Sequence, residues 1–247
     1  MRILGIDIGS RTIKIVLCDC GHMVLERVTD TTHDPLHVCE QLVTPLERDR
    51  IVATGYGRRL FQQRWPEAEI ITELKAVSSG ARLLHPSCRT IIDIGGQDTK
   101  VISLDNNGAM CKFAMNDRCA AGTGRFFEVM ASALSFTLDE FVGGAKSAQR
   151  AEQLSSMCTV FAETEVISLV ARGAAREEIA LGIHQSIATR TVALLGGIPI
   201  KDDILFTGGG ARNSCLGILL ETALGKKLHV PQAPQTVAAL GCALSSR

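Results

Sequence analysis

Short apolar runs punctuated by glycine-rich turns open this chain. Arg2 to Ile8 and Ile13 to Cys18 are strand-like and are joined by Gly9-Ser10-Arg11-Thr12, which predicts a β-hairpin. Thr90 to Gly95, Thr99 to Leu104 and Ala109 to Met115 repeat the scheme around Gly96-Gln97-Asp98 and Asn106-Asn107-Gly108. Beyond Met115 the period changes from strand-like to helical. Arg125 to Leu134 places Phe126, Val129, Met130, Ala133 and Leu134 on one stripe, and Ala162, Val166, Leu169 and Val170 form a second that stops at Gly173. A third helix, Arg176 to Leu195, presents Ile179, Ile183, Ile187 and Leu194, and further helices are expected from about Ser214 to Leu224 and from about Gln235 onward.

The strands contain an internal repeat. Ile6-Asp7-Ile8-Gly9 recurs as Ile92-Asp93-Ile94-Gly95, Lys14 recurs as Lys100 at the same spacing, and Ile51-Val52-Ala53-Thr54-Gly55-Tyr56-Gly57 is echoed by Ile204-Leu205-Phe206-Thr207-Gly208-Gly209-Gly210. The interval between the two landmarks is far longer in the second copy, and that added stretch contains Cys119 and Cys158. An insertion confined to one copy of a duplicated unit is where a specialised function is expected. Alternating strands and helices with a leading meander in each copy predict a two-domain α/β protein with a cleft between the halves. The first half is expected over residues 1–86, completed by a C-terminal helix over 235–247, and the second over 87–234 with a helical insertion that carries the two cysteines.

Each half opens with strand, aspartate, glycine-rich turn and strand. Such a turn exposes backbone N–H groups that can surround phosphate oxygens with no side chain in the way. Asp7 and Asp93 end the first strand of each copy, where two carboxylates suit hydrated Mg²⁺. Thr207 to Gly210 add a backbone platform at the end of a later strand, suited to a nucleoside. Gly143-Gly144-Ala145-Lys146-Ser147 resembles the tail of a P-loop, but Ala145 replaces the required glycine and no strand precedes it, so it reads as a polar helix connection. No strand-borne G-x-G-x-x-G pattern supports a Rossmann dinucleotide site.

Composition narrows the field further. The chain has 247 residues, 46% of them hydrophobic, and its 26 basic and 26 acidic residues cancel, so no cationic face for nucleic acid or anionic lipid stands out. Asp7 interrupts the first apolar stretch and no uncharged run is long enough to span a bilayer, which predicts neither a signal peptide nor a membrane span and a cytoplasmic location. Nine cysteines in such a compartment point away from disulfides. Cys119 lies in Asn116-Asp117-Arg118-Cys119-Ala120-Ala121-Gly122-Thr123-Gly124, and Cys158 in Ser155-Ser156-Met157-Cys158-Thr159-Val160-Phe161-Ala162-Glu163, each near a predicted helix start where the helix dipole favours thiolate. Two thiolates cannot complete a four-cysteine iron–sulfur shell, so as ligands they require a second copy of the chain. Cys18, Cys20, Cys39, Cys88, Cys111, Cys215 and Cys242 read as core or surface thiols. His184 reads as structural, Tyr56 and Trp65 as too isolated to stack a base, and Glu163 and Glu165 as supports for a helix start.

The paired Asp-Gly hairpins, the glycine-rich strand end and the C-terminal helix resemble the sugar kinase, Hsp70 and actin superfamily, the duplicated ribonuclease H-like ATPase fold. More narrowly, Asn116 to Phe126, Cys158 to Glu165, Thr54-Gly55-Tyr56-Gly57-Arg58 and Asp93-Ile94-Gly95-Gly96-Gln97-Asp98 resemble the iron–sulfur ATPases that activate 2-hydroxyacyl-CoA dehydratases, and the related benzoyl-CoA reductase ATPase subunits. The resemblance implies a homodimer with one shared [4Fe–4S] cluster held by Cys119 and Cys158 of each protomer. ATP hydrolysis would then drive a low-potential electron, supplied by reduced ferredoxin or flavodoxin, into a dehydratase-type or benzoyl-CoA reductase-type partner. It also implies that Ser10, Arg11, Thr12, Ile13 and Lys14 contact phosphates, that Gly95, Gly96 and Gln97 form the second phosphate turn, that Asp7 and Asp93 order Mg²⁺ and the attacking water, and that Gly208, Gly209, Gly210 and Gln235 meet the nucleoside end of ATP or ADP. Two other functions fit the cleft: a small-molecule kinase, which leaves the cysteines unused, and a nucleotide-binding iron–sulfur redox sensor.

Overall fold

The computed structural model describes residues 1–155 and 158–244. The chain begins with the meander β1 (Arg2–Ile8), β2 (Thr12–Asp19) and β3 (His22–Asp30), followed by α1 (Pro35–Val43), β4 (Arg50–Thr54), α2 (Arg58–Arg64), β5 (Glu69–Ile70) and α3 (Glu73–Leu84). A second meander, β6 (Thr90–Ile94), β7 (Thr99–Leu104) and β8 (Met110–Asn116), leads into four helices, α4 (Gly124–Ala133), α5 (Leu138–Ser147), α6 (Thr159–Ala171) and α7 (Arg176–Leu195). The chain then forms β9 (Ile204–Thr207), α8 (Ser214–Leu224), β10 (Leu228–His229) and α9 (Val237–Ala243).

The strands make two five-stranded mixed sheets, ordered β3-β2-β1-β4-β5 and β10-β9-β6-β7-β8. Each is a meander extended by two parallel strands, so the sequence repeat is also a repeat of topology. Registers coincide as well. Asp7 lies opposite Lys14 and beside Thr54, and Asp93 lies opposite Lys100 and beside Thr207.

Apolar burial follows this plan. One core holds β1, β2, β4, α1 and α2 around Ile6, Ile13, Ile15 and Phe61, and a larger one packs β6, β9 and α4 to α8 around Phe126, Met130, Phe141, Ile183 and Phe206. Between them α3 packs against α9, which also lies on β1, β2 and β4. No helix among the described residues is long and apolar enough to cross a membrane.

The structure adjusts several local expectations. Gly143 to Ser147 are not a connection but the last turns of α5, which starts at a capping box made by Thr137 and Glu140 and buries Phe141 and Ala145. Between β3 and β4 the chain forms α1, which the pattern of the sequence did not indicate and whose start is capped by the Asp34 side chain accepting from the His37 N–H. Val170 does not share the inward stripe of Ala162, Val166 and Leu169; it is exposed with Val160, Phe161 and Ile167. Leu195 rather than Leu194 is the buried leucine at the end of α7. The C-terminal helix begins at Val237 after a 3₁₀ turn at Pro234–Thr236, and the last three positions of the expected 235–247 span lie outside the described residues, as do Ser156 and Met157.

Candidate functional site

A cavity of about 610 Å³ lies between the two meanders. Its floor is built by the repeat. Lys14 Nζ donates to Asp7 Oδ2 at 3.0 Å, and Lys100 Nζ lies 3.7 Å from Asp93 Oδ2, 2.6 Å from Asp98 Oδ2 and 2.8 Å from Glu73 Oε2. Burial pushes the Asp93 carboxyl up and Lys100 pulls it back only in part, leaving it at about 6. Burial alone would depress Lys100, but Asp93, Glu73 and Asp98 around it outweigh that and hold it above the usual ammonium range. Four carboxylates face two ammonium groups here, which leaves the floor of the cavity with an excess of negative charge.

Glycine is required behind each aspartate. Gly55 (φ +89°) and Gly208 (φ +82°) adopt left-handed backbone, and a Cβ on either would overlap the carboxylate of Asp7 or Asp93. Both turns close in the same way, with Gly9 N–H donating to Thr12 O at 3.1 Å and Gly95 N–H donating to Asp98 O at 2.9 Å.

Asp7, Ser10, Arg11, Thr12, Lys14, Asp93, Gly95, Gly96, Gln97, Gly208, Gly209, Gly210 and Gln235 all line this one cavity. Ile13 does not. Strand alternation turns its side chain into the first core, where it is fully buried. Gln235 accepts from Arg212 Nη1 at 3.3 Å at the far end, where Leu138, Asp139 and Val142 of α5 and Asn213 complete the wall. The sequence reading missed Glu73, Asp98, Lys100, Glu128, Asp139 and Asn213 as wall residues. Lys100 carried a signal, its repeat relation to Lys14, and Asp98 another, its place in the Gly96-Gln97-Asp98 turn; Glu73, Glu128, Asp139 and Asn213 reach the cavity from helices and a helix cap that no pattern tied to it. Tyr56 also lies on the wall, 80% exposed, although it has no aromatic neighbour to stack with among the described residues.

His184 supports this far end from behind. Its Nδ1–H donates to Ala180 O at 2.7 Å, so Nε2 is the acceptor for Asn213 Nδ2 at 2.9 Å, and the Asn213 oxygen caps α8 by accepting from Leu216 N–H at 3.0 Å. Burial pushes the histidine down and keeps it neutral.

A family model described as the BadF/BadG/BcrA/BcrD ATPase family matches residues 4–246. The chain belongs to that family. This ATPase is 40% identical over 253 aligned positions to the 2-hydroxyisocaproyl-CoA dehydratase activator of Clostridioides difficile, covering 99% of this chain and 94% of the relative. It is also 40% identical to the activator of lactoyl-CoA dehydratase of Anaerotignum propionicum, covering 99% and 96%. Among solved structures, the activator of the 2-hydroxyisocaproyl-CoA dehydratase from Clostridium difficile with bound ADPNP superposes with a TM-score of 0.91 at 40% identity, over 99% of this chain and 93% of that one. A ROK family glucokinase from Streptomyces griseus, at 11% identity and a TM-score of 0.62, over 98% of each chain, shares the fold alone, that of the actin-like ATPases.

The two singled-out cysteines of this ATPase are exposed. Cys158 is the N-cap residue of α6, whereas Cys119 sits in the loop before α4, short of its N-cap Thr123. Between Cys119 and α4, Ala120 to Thr123 form a turn of their own with Thr123 Oγ1 donating to Ala120 O at 2.6 Å. The helices that follow the two thiols, α4 and α6, pack on each other. Buried thiols are poor ligands by comparison, since burial pushes Cys39 up to about 12 and Cys88 up to about 11. No group of three or more His, Cys, Asp or Glu that could hold a metal ion occurs among the described residues. Glu165 supports the approach to α6 by accepting from Ser155 N–H and Oγ at 2.9 Å, while Glu163 is exposed.

Proposed function

We propose that this ATPase is an electron-donating activator of a 2-hydroxyacyl-CoA dehydratase-type enzyme. The observation that carries this reading is the continuity between the second phosphate turn and the Cys119 loop. Gly124 N–H donates to Gly95 O at 2.8 Å, Arg125 N–H donates to Gly96 O at 2.9 Å, and Thr99 Oγ1 donates to Gly122 O at 2.7 Å. A phosphate-dependent shift of the Gly95–Gly96 backbone is therefore passed on to the start of α4 and to the loop that holds Cys119. A kinase of the same fold has no use for such a connection to an exposed thiol.

In this reading Asp7 and Asp93 order Mg²⁺ and the attacking water, Ser10 to Lys14 and Gly95 to Gln97 hold phosphates, and Gly208 to Gly210 with Gln235 meet the nucleoside. Cys119 and Cys158 of two protomers hold one [4Fe–4S] cluster, which supplies a low-potential electron when bound. The exposed Val160 and Phe161 beside Cys158 form part of the dimer seam, each 67% exposed in the single chain. Reduced ferredoxin or flavodoxin is the electron source. The 40% identity to two dehydratase activators favours a dehydratase over a benzoyl-CoA reductase as the acceptor.

Anaerobic purification followed by iron analysis and sizing tests the centre of this reading. The expected result is a brown dimer with one four-iron cluster per pair of chains. Cys119→Ser and Cys158→Ser each abolish it, and Cys20→Ser or Cys88→Ser does not. A colourless protein, or a fully loaded monomer, refutes it. Failure of a loaded dimer to reduce and activate a dehydratase, with the cluster intact, leaves the redox-sensor alternative.

A further inference from the structure

Arg11 and Glu128 face each other across the mouth of the cleft, one in the first phosphate turn and the other on α4. Arg11 Nε donates to Glu128 Oε1 at 3.1 Å and its Nη2 lies 2.9 Å from Oε2, a two-pronged pairing of guanidinium and carboxylate. From the opposite side Arg125 Nη1 donates to Oε2 at 2.9 Å. The Arg11 stem passes directly over the second phosphate turn, where a Cβ on Gly96 would come within 2.6 Å of Arg11 Cγ. A single side chain thus links both phosphate turns to the helix that follows the Cys119 loop.

This pair is built to be broken. Arg11 and Glu128 are 49% and 27% exposed, so separating them buries no bare charge, and Glu128 keeps Arg125 when Arg11 leaves. Arg11, Gly96 and Glu128 also line the cavity. A polyphosphate between the two turns offers the Arg11 fork the same oxygen geometry as a carboxylate, with more negative charge.

We propose that Arg11 is a nucleotide-responsive clasp: Glu128 holds its guanidinium, and bound polyphosphate takes it over, releasing α4 from the first phosphate turn. Glu128 then acts as a competitor for nucleotide and sets how tightly the cleft binds it, while Arg11 is a positioning residue for the phosphates. The proposal rests on the phosphate placement given above, and not on the cluster or on the partner enzyme.

The test is a double-mutant cycle. Affinity for the non-hydrolysable analogue ADPNP with Mg²⁺ is measured by calorimetry on the anaerobically purified protein, for wild type, Glu128→Gln, Arg11→Ala and the double variant. Losing an exposed competing pair tightens binding in Glu128→Gln by roughly two- to fivefold. Arg11→Ala weakens it by about tenfold or more, as expected for a charge-assisted contact. In the Arg11→Ala background Glu128→Gln changes nothing, because the competitor has nothing left to hold. Unchanged or weaker binding in Glu128→Gln, or the same tightening without Arg11, overturns the clasp. Asp7→Ala separates the two levels: if it binds ADPNP normally the phosphate placement has failed, whereas dependence on Asp7 with no effect of Glu128 overturns the clasp alone.

Discussion

Replacing Thr99 by Val removes one buried hydroxyl and conserves shape, branching and strand preference, so its effect reports on a single tether. Thr99 is 3% exposed and its Oγ1 donates to Gly122 O at 2.7 Å, joining the strand after the phosphate turn to the loop that carries Cys119. Losing the bond and leaving the buried Gly122 carbonyl without its donor costs about 1–3 kcal/mol. At ~1.4 kcal/mol per factor of ten, the loop detaches from the turn roughly 5- to 150-fold more often. The turn itself is spared, because Gly95 N–H still closes on Asp98 O. ATP hydrolysis should therefore stay near the wild-type rate. In the wild type, iron removal by an added chelator is expected to run at clearly different rates with ADP and with ADPNP. In Thr99→Val that difference should shrink, the loop no longer following the turn. A variant with a lowered denaturation midpoint but an unchanged ratio of chelation rates would refute the reasoning and reduce Thr99 to a structural bond.

Asp7→Ala and Asp93→Ala should each lower steady-state ATP hydrolysis by one to several powers of ten, about 1.4 kcal/mol of barrier for each, while iron content stays at the wild-type level; unchanged hydrolysis in both would move the nucleotide site elsewhere. Gly208→Ala places a Cβ against the Asp93 carboxylate at a φ of +82°, so a fall in chemical-denaturation stability of roughly 1–3 kcal/mol and a parallel loss of ATPase activity are expected, with Gly55→Ala showing the same pair of effects. His184 is kept neutral by burial, so its folded value lies below the unfolded 6.5. Below that unfolded value the unfolded chain binds a proton that the folded one refuses, and the stability it contributes is lost as pH falls from above 6.5 through the folded value. Denaturation midpoints of wild type and His184→Gln, compared across that range, should converge at the acid end.

Most of the floor of the cleft was legible because it rests on short-range rules applied twice. Ile6-Asp7-Ile8-Gly9 and Ile92-Asp93-Ile94-Gly95 each fix a strand, a carboxylate and a turn within a few residues, and the structure gives them matching registers and closing bonds. What escaped was long-range. Glu73 reaches Lys100 from the first turn of α3, and Glu128 reaches Arg11 across the cleft; neither contact leaves a periodic trace in the chain. Helix limits went astray where tertiary burial overrode local preference. Gly143 and Gly144 continue α5 because Phe141 and Ala145 are buried beneath them, and Val170 leaves its stripe because α6 is apolar on more faces than the single chain covers. The Ile13 side chain shows the opposite limit: a motif read as a block includes residues that strand alternation sends to the other side.

The duplicated floor is chemically symmetric in sequence and asymmetric in structure. Lys14 and Lys100 occupy equivalent registers opposite equivalent aspartates, yet Lys14 has a single carboxylate partner and a side chain 14% exposed, while Lys100 is 4% exposed among three carboxylates. Moving Lys100 toward a ligand would strand Asp93, Asp98 and Glu73 in a poorly solvated floor, a cost of several kcal/mol that one phosphate contact does not offset. Lys14 would give up a single partner, Asp7. The second half, which bears the cysteine loop, therefore presents a charge network that holds its shape, and the first half presents the residues able to change partners, Lys14 and Arg11. On the proposed reading both sides of the cleft therefore reach α4, the first half through the exchange of partners at Arg11 and the second through the main-chain bonds of Gly95 and Gly96 to the start of that helix.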